Sequence, residues 1–214
     1  GKNNKIFPFA VIGVVPQDLK FKGEEARLEI GDGNVIREHA TIHLGTTDGG
    51  LLTKIGSNNL FMVGVHIAHD CIVGNNTILA NNATLAGHVE IADGVVIGGL
   101  AALHQFVRVG KGAMIGGFSA VVGDVIPYAS VSGERANIAG LNLIGIKRKG
   151  IAKDQINKLR GYFKDLFDDE NADTSFINRV KDFSANYDDC DLVAEIVEFV
   201  TSESSRQFTQ MKKQ

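Results

Sequence analysis

Every sixth residue from Ile55 onward is large and apolar: Ile55, Phe61, Ile67, Val73, Leu79, Leu85, Ile91, Ile97, Leu103, Val109, Ile115 and Val121. With 44% apolar residues in the chain, such a run arises by chance about once in 20,000 readings, or about six times as often across all six frames. The next position is mostly Gly or Ala, as at Gly56, Ala68, Gly74, Ala80, Ala86, Ala92, Gly98, Gly110 and Gly116. Turn-tolerant pairs follow, such as Asn75-Asn76, Asn81-Asn82 and Asp93-Gly94. A helix of 3.6 residues per turn cannot hold a period of six. Short strands between tight corners can, because Asn and Gly accept left-handed backbone angles cheaply. The pattern predicts a parallel β-helix.

Earlier hexads, at Ile6 and Ile12 and then Ile30, Ile36 and Ile42, share the pattern in another register. Insertions near 16–25 and 46–53 interrupt them, and the frame slips by one residue at the second. Insertions in solenoids leave as loops on one face, often the binding face. After Val121 the repeat fades through Asp124, Pro127 and Tyr128. From Lys153 the apolar spacing becomes helical: Ile156, Leu159, Phe163, Leu166 and Phe167; then Phe176, Ile177, Val180 and Phe183; then Leu192, Val193, Ile196 and Phe199. The division is a hexapeptide-repeat β-helix over 1–150 and a small helical C-terminal domain over 151–214. Those helices are expected to cap the open strand edges of the coil.

Composition narrows the classes. A net charge of −3 and a pI near 6.1 exclude a general nucleic-acid binder. The longest apolar stretch, Val95 to Leu103, carries two glycines and falls far short of the roughly 20 residues that cross a bilayer. Cys71 and Cys190 have neither disulfide-framework nor thiolate-metal spacing, which fits a reducing cytosol. The chain opens at Gly1 without Met or signal-peptide pattern, so further residues are expected before it.

Three hexads per coil place residues 18 apart above one another, about 4.8 Å away. His69, Gly87 and Gln105 then share one column, Asp70, His88 and Phe106 the next, and Ala68, Ala86 and His104 the one before. His69, His88, His104 and Gln105 therefore gather on one corner, with His66 on the adjoining strand. Stacked polar residues can be plain solvated turns, but imidazoles are scarce and have no turn propensity. A metal site is one reading, since His is the commonest ligand near neutral pH. A general base is another: Asp70, directly after His69, could fix its tautomer. Thr77 and Thr84 lie on other columns, so no nucleophile shares the corner, which favours direct transfer over a covalent intermediate.

The runs NLFMVGVHIAHDCIVGNNTILANNATLAGHVEI and IGGLAALHQF, with PQDLKFKGE, IREHATIHLGT, GGLLTKIGSNN and GLNLIGIKRKG, resemble the acyl-carrier-protein-dependent UDP-N-acetylglucosamine O-acyltransferases. These are hexapeptide-repeat enzymes that open lipid A biosynthesis in the cytoplasm of Gram-negative bacteria. The resemblance covers essentially the whole chain, and further N-terminal coils are expected before it. It implies a left-handed β-helix, a homotrimer with active sites between subunits, and no cofactor or metal. Its donor is a 3-hydroxyacyl thioester on acyl carrier protein, and its acceptor the glucosamine 3-hydroxyl of UDP-N-acetylglucosamine. By matching motif, His69 is the general base, Asp70 its support, and the Gly87 N–H the oxyanion donor. His88, Gln105, Asp18 and Asn142 match sugar-nucleotide contacts; Lys20, His66 and His104 match positions that affect activity. Arg148 matches a residue that meets phosphate or the carrier arm, and Gly117 the acyl-chain ruler, where glycine argues for a longer chain. Ile144 stands where an acidic ribose contact can occur, and Lys149 replaces an arginine, losing bidentate phosphate geometry. The basic run Lys147-Arg148-Lys149, with Lys153, Lys158, Arg160 and Lys164, suits docking of an acidic carrier.

Two alternatives use the same coil. One is the related UDP-3-O-acylglucosamine N-acyltransferase, expected to carry a separate uridine-binding domain; the HIAHD context and PQDLK loop argue against it. The other is a hexapeptide-repeat zinc carbonic anhydrase, which metal analysis would separate.

Overall fold

The structure, a computed structural model, describes residues 1–168 and 174–211. Residues 1–132 wind as a left-handed parallel β-helix, and its faces are sheets of eight, six and five strands among the described residues, the last strand of the largest being added antiparallel. Regular coils advance by 18 residues: Leu60, Ile78, Val96 and Met114 pair in one sheet, His66, Thr84 and Ala102 in another, and Ile72, Glu90 and Arg108 in the third. All twelve hexad positions from Ile55 to Val121 are buried along the axis of the prism. Each such side chain contributes roughly 1.5–3 kcal/mol, so the column specifies the coil.

Each turn of the coil makes three corners. The first joins strand His66–Ile67 to strand Ile72–Val73 and repeats 18 and 36 residues later. The second joins Ile72–Val73 to Ile78–Leu79, and the third Ile78–Leu79 to Thr84–Leu85. Corners turn through left-handed backbone at Asn58, Asn76 and Asn82, as the composition predicts, and also at Asp70, His88, Leu100, Phe106 and Phe118. Both insertions leave from the first corner. The step between stacked residues lengthens to 25 where Thr41 meets His66 and to 30 where Val11 meets Thr41.

Beyond Val121 the coil continues further than the hexads show. Val125 bridges Val109, and strand Ala129–Ser132 stacks on Met114 with a step of 16 rather than 18. That strand then pairs antiparallel with Asn137–Leu141, so a hairpin ends the eight-stranded sheet. The C-terminal tail returns to the coil as well: Phe208 bridges Asp124 and Met211 bridges Ile138. Edge protection expected of the helices is thus provided in part by the hairpin and tail.

Among the described residues four α-helices follow: α1 (Leu143–Arg148), α2 (Lys153–Leu166), α3 (Phe176–Ser184) and α4 (Asp191–Thr201). The helical spacings correspond to α2, α3 and α4, whose Ile156, Leu159, Leu166, Val180, Leu192, Val193 and Ile196 are buried. Ile177 differs: it is 43% exposed. The short α1 carries Gly145 mid-helix and shows no periodicity; its one local signal is Asn142, whose Oδ1 accepts from the Gly145 N–H at 3.0 Å as an N-cap. Among the described residues no helix is long and apolar enough to cross a membrane.

Candidate active site

The first corner holds Asp70, His88 and Phe106 in one ladder, each with left-handed φ of 60–65°. That conformation, which Asp and His tolerate better than most residues, turns successive side chains out of the coil side by side. The His88 ring stacks on Phe106 at 4.5 Å, and the His69 ring meets His88 edge-on at 5.2 Å. His88 and His69 also share a backbone link, His88 N–H to His69 C=O at 3.0 Å, so the rung spacing holds the rings together.

His69 Nδ1 lies 2.7 Å from Asp70 Oδ2. The carboxylate is 1% exposed and takes two further donors, the Thr46 N–H at 2.7 Å and the Thr46 hydroxyl at 2.6 Å. Its own N–H donates to the Thr53 hydroxyl at 2.8 Å. A carboxylate accepts only, so Nδ1 carries the proton and Nε2 presents a lone pair: the form a general base requires. The His69 ring lies across the face of Gly87, where an added Cβ would stand 2.5 Å from Cε1 and 2.8 Å from Nε2. Among the described residues the Gly87 N–H has no hydrogen-bond partner, leaving a donor beside the base.

Burial lowers the affinity of His88 for a proton, and Asp70, with its oxygen 3.6 Å from Nε2, partly offsets this. Burial depresses His66 too, and its Nδ1 pairs with the Thr41 hydroxyl at 2.7 Å. His43 is a member of the group that sequence reading missed. It is buried, edge-on to His66 at 4.9 Å, and pushed down to about 4 by burial and its imidazole neighbours. The frame slip at 46–53 hid it, because its step to the next coil is not 18.

Sequence-predicted residues divide among the corners. His69, Asp70, Gly87, His88 and Gln105 share the first, with His104 at its rim and His66 on the adjoining strand. The loops bring Asp18 and Lys20 there. Lys20 donates from its N–H to Asp18 Oδ1 at 2.9 Å, and its ammonium pairs with Asp48 at 3.0 Å. Gly49 packs against Asp70, and the charges of Asp48 and Asp18 act on His88. Two cavities open here, of about 380 Å³ between the loops and about 490 Å³ over Asp70, His88 and Phe106. A further cavity, about 610 Å³ between α4 and the five-stranded face, is lined by no imidazole and adjoins this corner through Ile72, Glu90 and Arg108.

Asn142 and Arg148 are elsewhere in the same chain. Asn142 donates to the Gly112 carbonyl at 3.0 Å on the second corner, and exposed Arg148 ends α1 beside it. Lys149 lies over Gly94 and Gly112; burial and neighbouring Lys111 lower its ammonium pKa. Ile144 is exposed. Gly117 lies on the third corner, where an added Cβ would approach the Gly99 carbonyl at 3.2 Å. Beside it Leu100 and Phe118, 50% and 75% exposed, hold left-handed angles that are costly for bulky side chains.

His69, Asp70 and His88 also form a group with ligand atoms within 4.8 Å of one another. Both Asp70 oxygens and His69 Nδ1 already hydrogen-bond, an arrangement that suits a base and its supporting carboxylate. Cys71, the nearest thiol, is buried, pushed up to about 12, and donates to the Ala86 carbonyl at 3.2 Å. It is inert.

A hexapeptide β-helix with a carboxylate-held imidazole beside a free amide suits an acyltransferase. Comparisons specify which. A model described as UDP N-acetylglucosamine O-acyltransferase, domain 2, matches residues 124–209, and one for the bacterial transferase hexapeptide matches 52–87. The acyl-[acyl-carrier-protein]–UDP-N-acetylglucosamine O-acyltransferase of Paracoccus denitrificans is 46% identical over 95% of this chain and 76% of its own. Its counterpart in Aliarcobacter butzleri is 53% identical over 78% and 65%. A solved UDP-N-acetylglucosamine acyltransferase from Campylobacter jejuni superposes with a TM-score of 0.89 at 41% identity, over 98% of this chain and 79% of that one. The chain belongs to the acyl-[acyl-carrier-protein]–UDP-N-acetylglucosamine O-acyltransferase family and is an enzyme. It spans about two thirds to three quarters of the length of those two relatives.

Proposed function

We propose that this chain transfers a 3-hydroxyacyl group from acyl carrier protein to the glucosamine 3-hydroxyl of UDP-N-acetylglucosamine, the first step of lipid A biosynthesis, in the cytoplasm. His69 Nε2 removes the hydroxyl proton as the oxygen attacks the thioester carbonyl. The Gly87 N–H receives the oxyanion, and such a donor is worth about 3 kcal/mol. Collapse expels the carrier's thiolate, which takes the proton back from the imidazolium, stabilised meanwhile by Asp70. The observation that carries this is the His69–Asp70 hydrogen bond of 2.7 Å with the ring laid across Gly87.

The working form is a homotrimer with its sites between subunits. Supporting this, the candidate residues occupy three corners of one prism, so a single chain cannot present them to one substrate. In the trimer Asp18, Lys20, His66, His88, His104 and Gln105 meet the sugar nucleotide beside the base, and a neighbour brings Asn142 and Arg148. Gly117 bounds the acyl chain, a role favoured by the exposed apolar Leu100 and Phe118 beside it. Family membership favours this reading over the N-acyltransferase and the zinc anhydrase.

The test is incubation with UDP-N-acetylglucosamine and carrier-bound acyl donors of graded length, with products read by mass spectrometry. A 3-O-acylated sugar nucleotide is expected, and turnover at least about 10² lower in His69→Ala with the trimer intact. An N-acylated product, or near-normal turnover in that variant, refutes the reading.

A further inference from the structure

The segment after α4 runs back over the histidine corner. Fully buried Asp124 anchors it. Its carboxylate accepts from the Ser204 hydroxyl at 2.7 Å and from Arg108 Nε at 2.8 Å, and its backbone exchanges hydrogen bonds with Gln207 and Thr209, each 2.8 Å. The anchor delivers Arg206 to a partner 102 positions away: its Nη2 lies 2.8 Å from His104 Nδ1, while its Nε donates to the Gln105 carbonyl at 2.9 Å. A guanidinium has donors only, so His104 Nδ1 accepts and the ring proton resides on Nε2. The competing tautomer would donate Nδ1–H to the Gln105 carbonyl. That contact is 3.4 Å long, and Arg206 Nε already occupies the carbonyl.

We propose that Arg206 is a positioning residue for the transfer site: it locks His104 as a neutral imidazole whose Nε2–H is a hydrogen-bond donor to an acceptor oxygen of the bound sugar nucleotide. The two rings then have opposite polarity. His69, held at Nδ1 by a carboxylate, offers a lone pair; His104, held at Nδ1 by a guanidinium, offers a proton. His104 is thereby prevented from acting as a second base. The inference rests on the reading of this corner as the transfer site.

The test combines nitrogen-15 NMR of histidine-labelled protein with kinetics. The His104 ring signals, assigned by their loss in His104→Ala, are expected to show a protonated Nε2 and a bare Nδ1. Arg206→Met and Arg206→Lys should each convert that signature to a tautomer mixture while leaving the His69 signals in place. Arg206→Met should raise KM for UDP-N-acetylglucosamine about ten-fold with a smaller change in kcat. In the His104→Ala background the same substitution should add less than about two-fold. A protonated Nδ1 in the unmodified protein overturns the proposal, and so does an equal kinetic cost of Arg206→Met in both backgrounds. Should Arg206→Met fail to fold, Arg206→Lys, which keeps charge and stem but loses the fork, decides on the same readouts. The NMR reading needs no turnover, so absence of acyl transfer would refute the functional reading while the tautomer is still decided.

Discussion

Gly87→Ala separates the placement of the base from its chemical identity. The substitution keeps the backbone N–H, and Gly87 has no left-handed φ, so neither the amide donor nor the local backbone is lost. The new methyl would stand 2.5 Å from His69 Cε1, 2.8 Å from Nε2 and 3.1 Å from Nδ1. Carbon–carbon contacts settle near 3.5–4.0 Å, so the ring must retreat by about 1 Å. Retreat is resisted on the other side, where Nδ1 is held by an Asp70 that Thr46 fixes through two hydrogen bonds. A misplacement of that size costs about 10² in rate, whereas overpacking costs folding about 1–3 kcal/mol. The assay is single-turnover acyl transfer at saturating donor, beside thermal unfolding and size-exclusion chromatography of the same preparation. The expected outcome is a fall in the transfer rate of about 10² with the assembly intact. A variant with an unchanged rate refutes the argument that the ring is held against this glycine.

Three further outcomes follow from the same geometry. Gly117→Met should shift preference to shorter acyl donors in a competition assay read by mass spectrometry, because the third corner gains a side chain beside Phe118; an unchanged profile places the chain elsewhere. Acid should destabilise the fold: His43 binds a proton less readily folded, near pH 4, than unfolded, near 6.5, so the unfolded state takes up more protons between these values and stability falls as pH drops through that window. The loss from pH 7 to 5 is about 2 kcal/mol, with His66 and His88 adding in the same direction; urea unfolding should show it, with a smaller loss in His43→Leu. KM for the carrier-bound donor should rise several-fold between about 0.05 and 0.3 M salt, and rise less in Lys147→Glu, if the exposed basic end of α1 steers an acidic carrier.

Some of this was open to reading from the residues alone. Once the period of six was seen, the 18-residue step followed, and it placed Gly87 over His69 and His88 over Asp70 without coordinates. It failed where the step changed: His43 lies beneath a coil lengthened to 25 residues, and its contact with His66 has no local signature. Helix α1 was missed because six residues with a central glycine show no period. Arg206 was missed because the hydrogen bonds that seat it on His104 run through Asp124, 82 positions earlier, and nothing near Arg206 in the chain announces them.

The sequence by itself determined the coil, its three corners, the exit of both loops and the juxtaposition of His69, Gly87 and His88. These depend on periodic burial and on backbone angles that single residues tolerate or refuse. Only the tertiary structure decided what holds Nδ1 of His69 and of His104, that a returning tail walls the corner, and that Asn142, Arg148 and Gly117 lie on other corners. Hydrogen bonds and approach distances between chemically distant segments depend on where the whole chain closes, and no period records that.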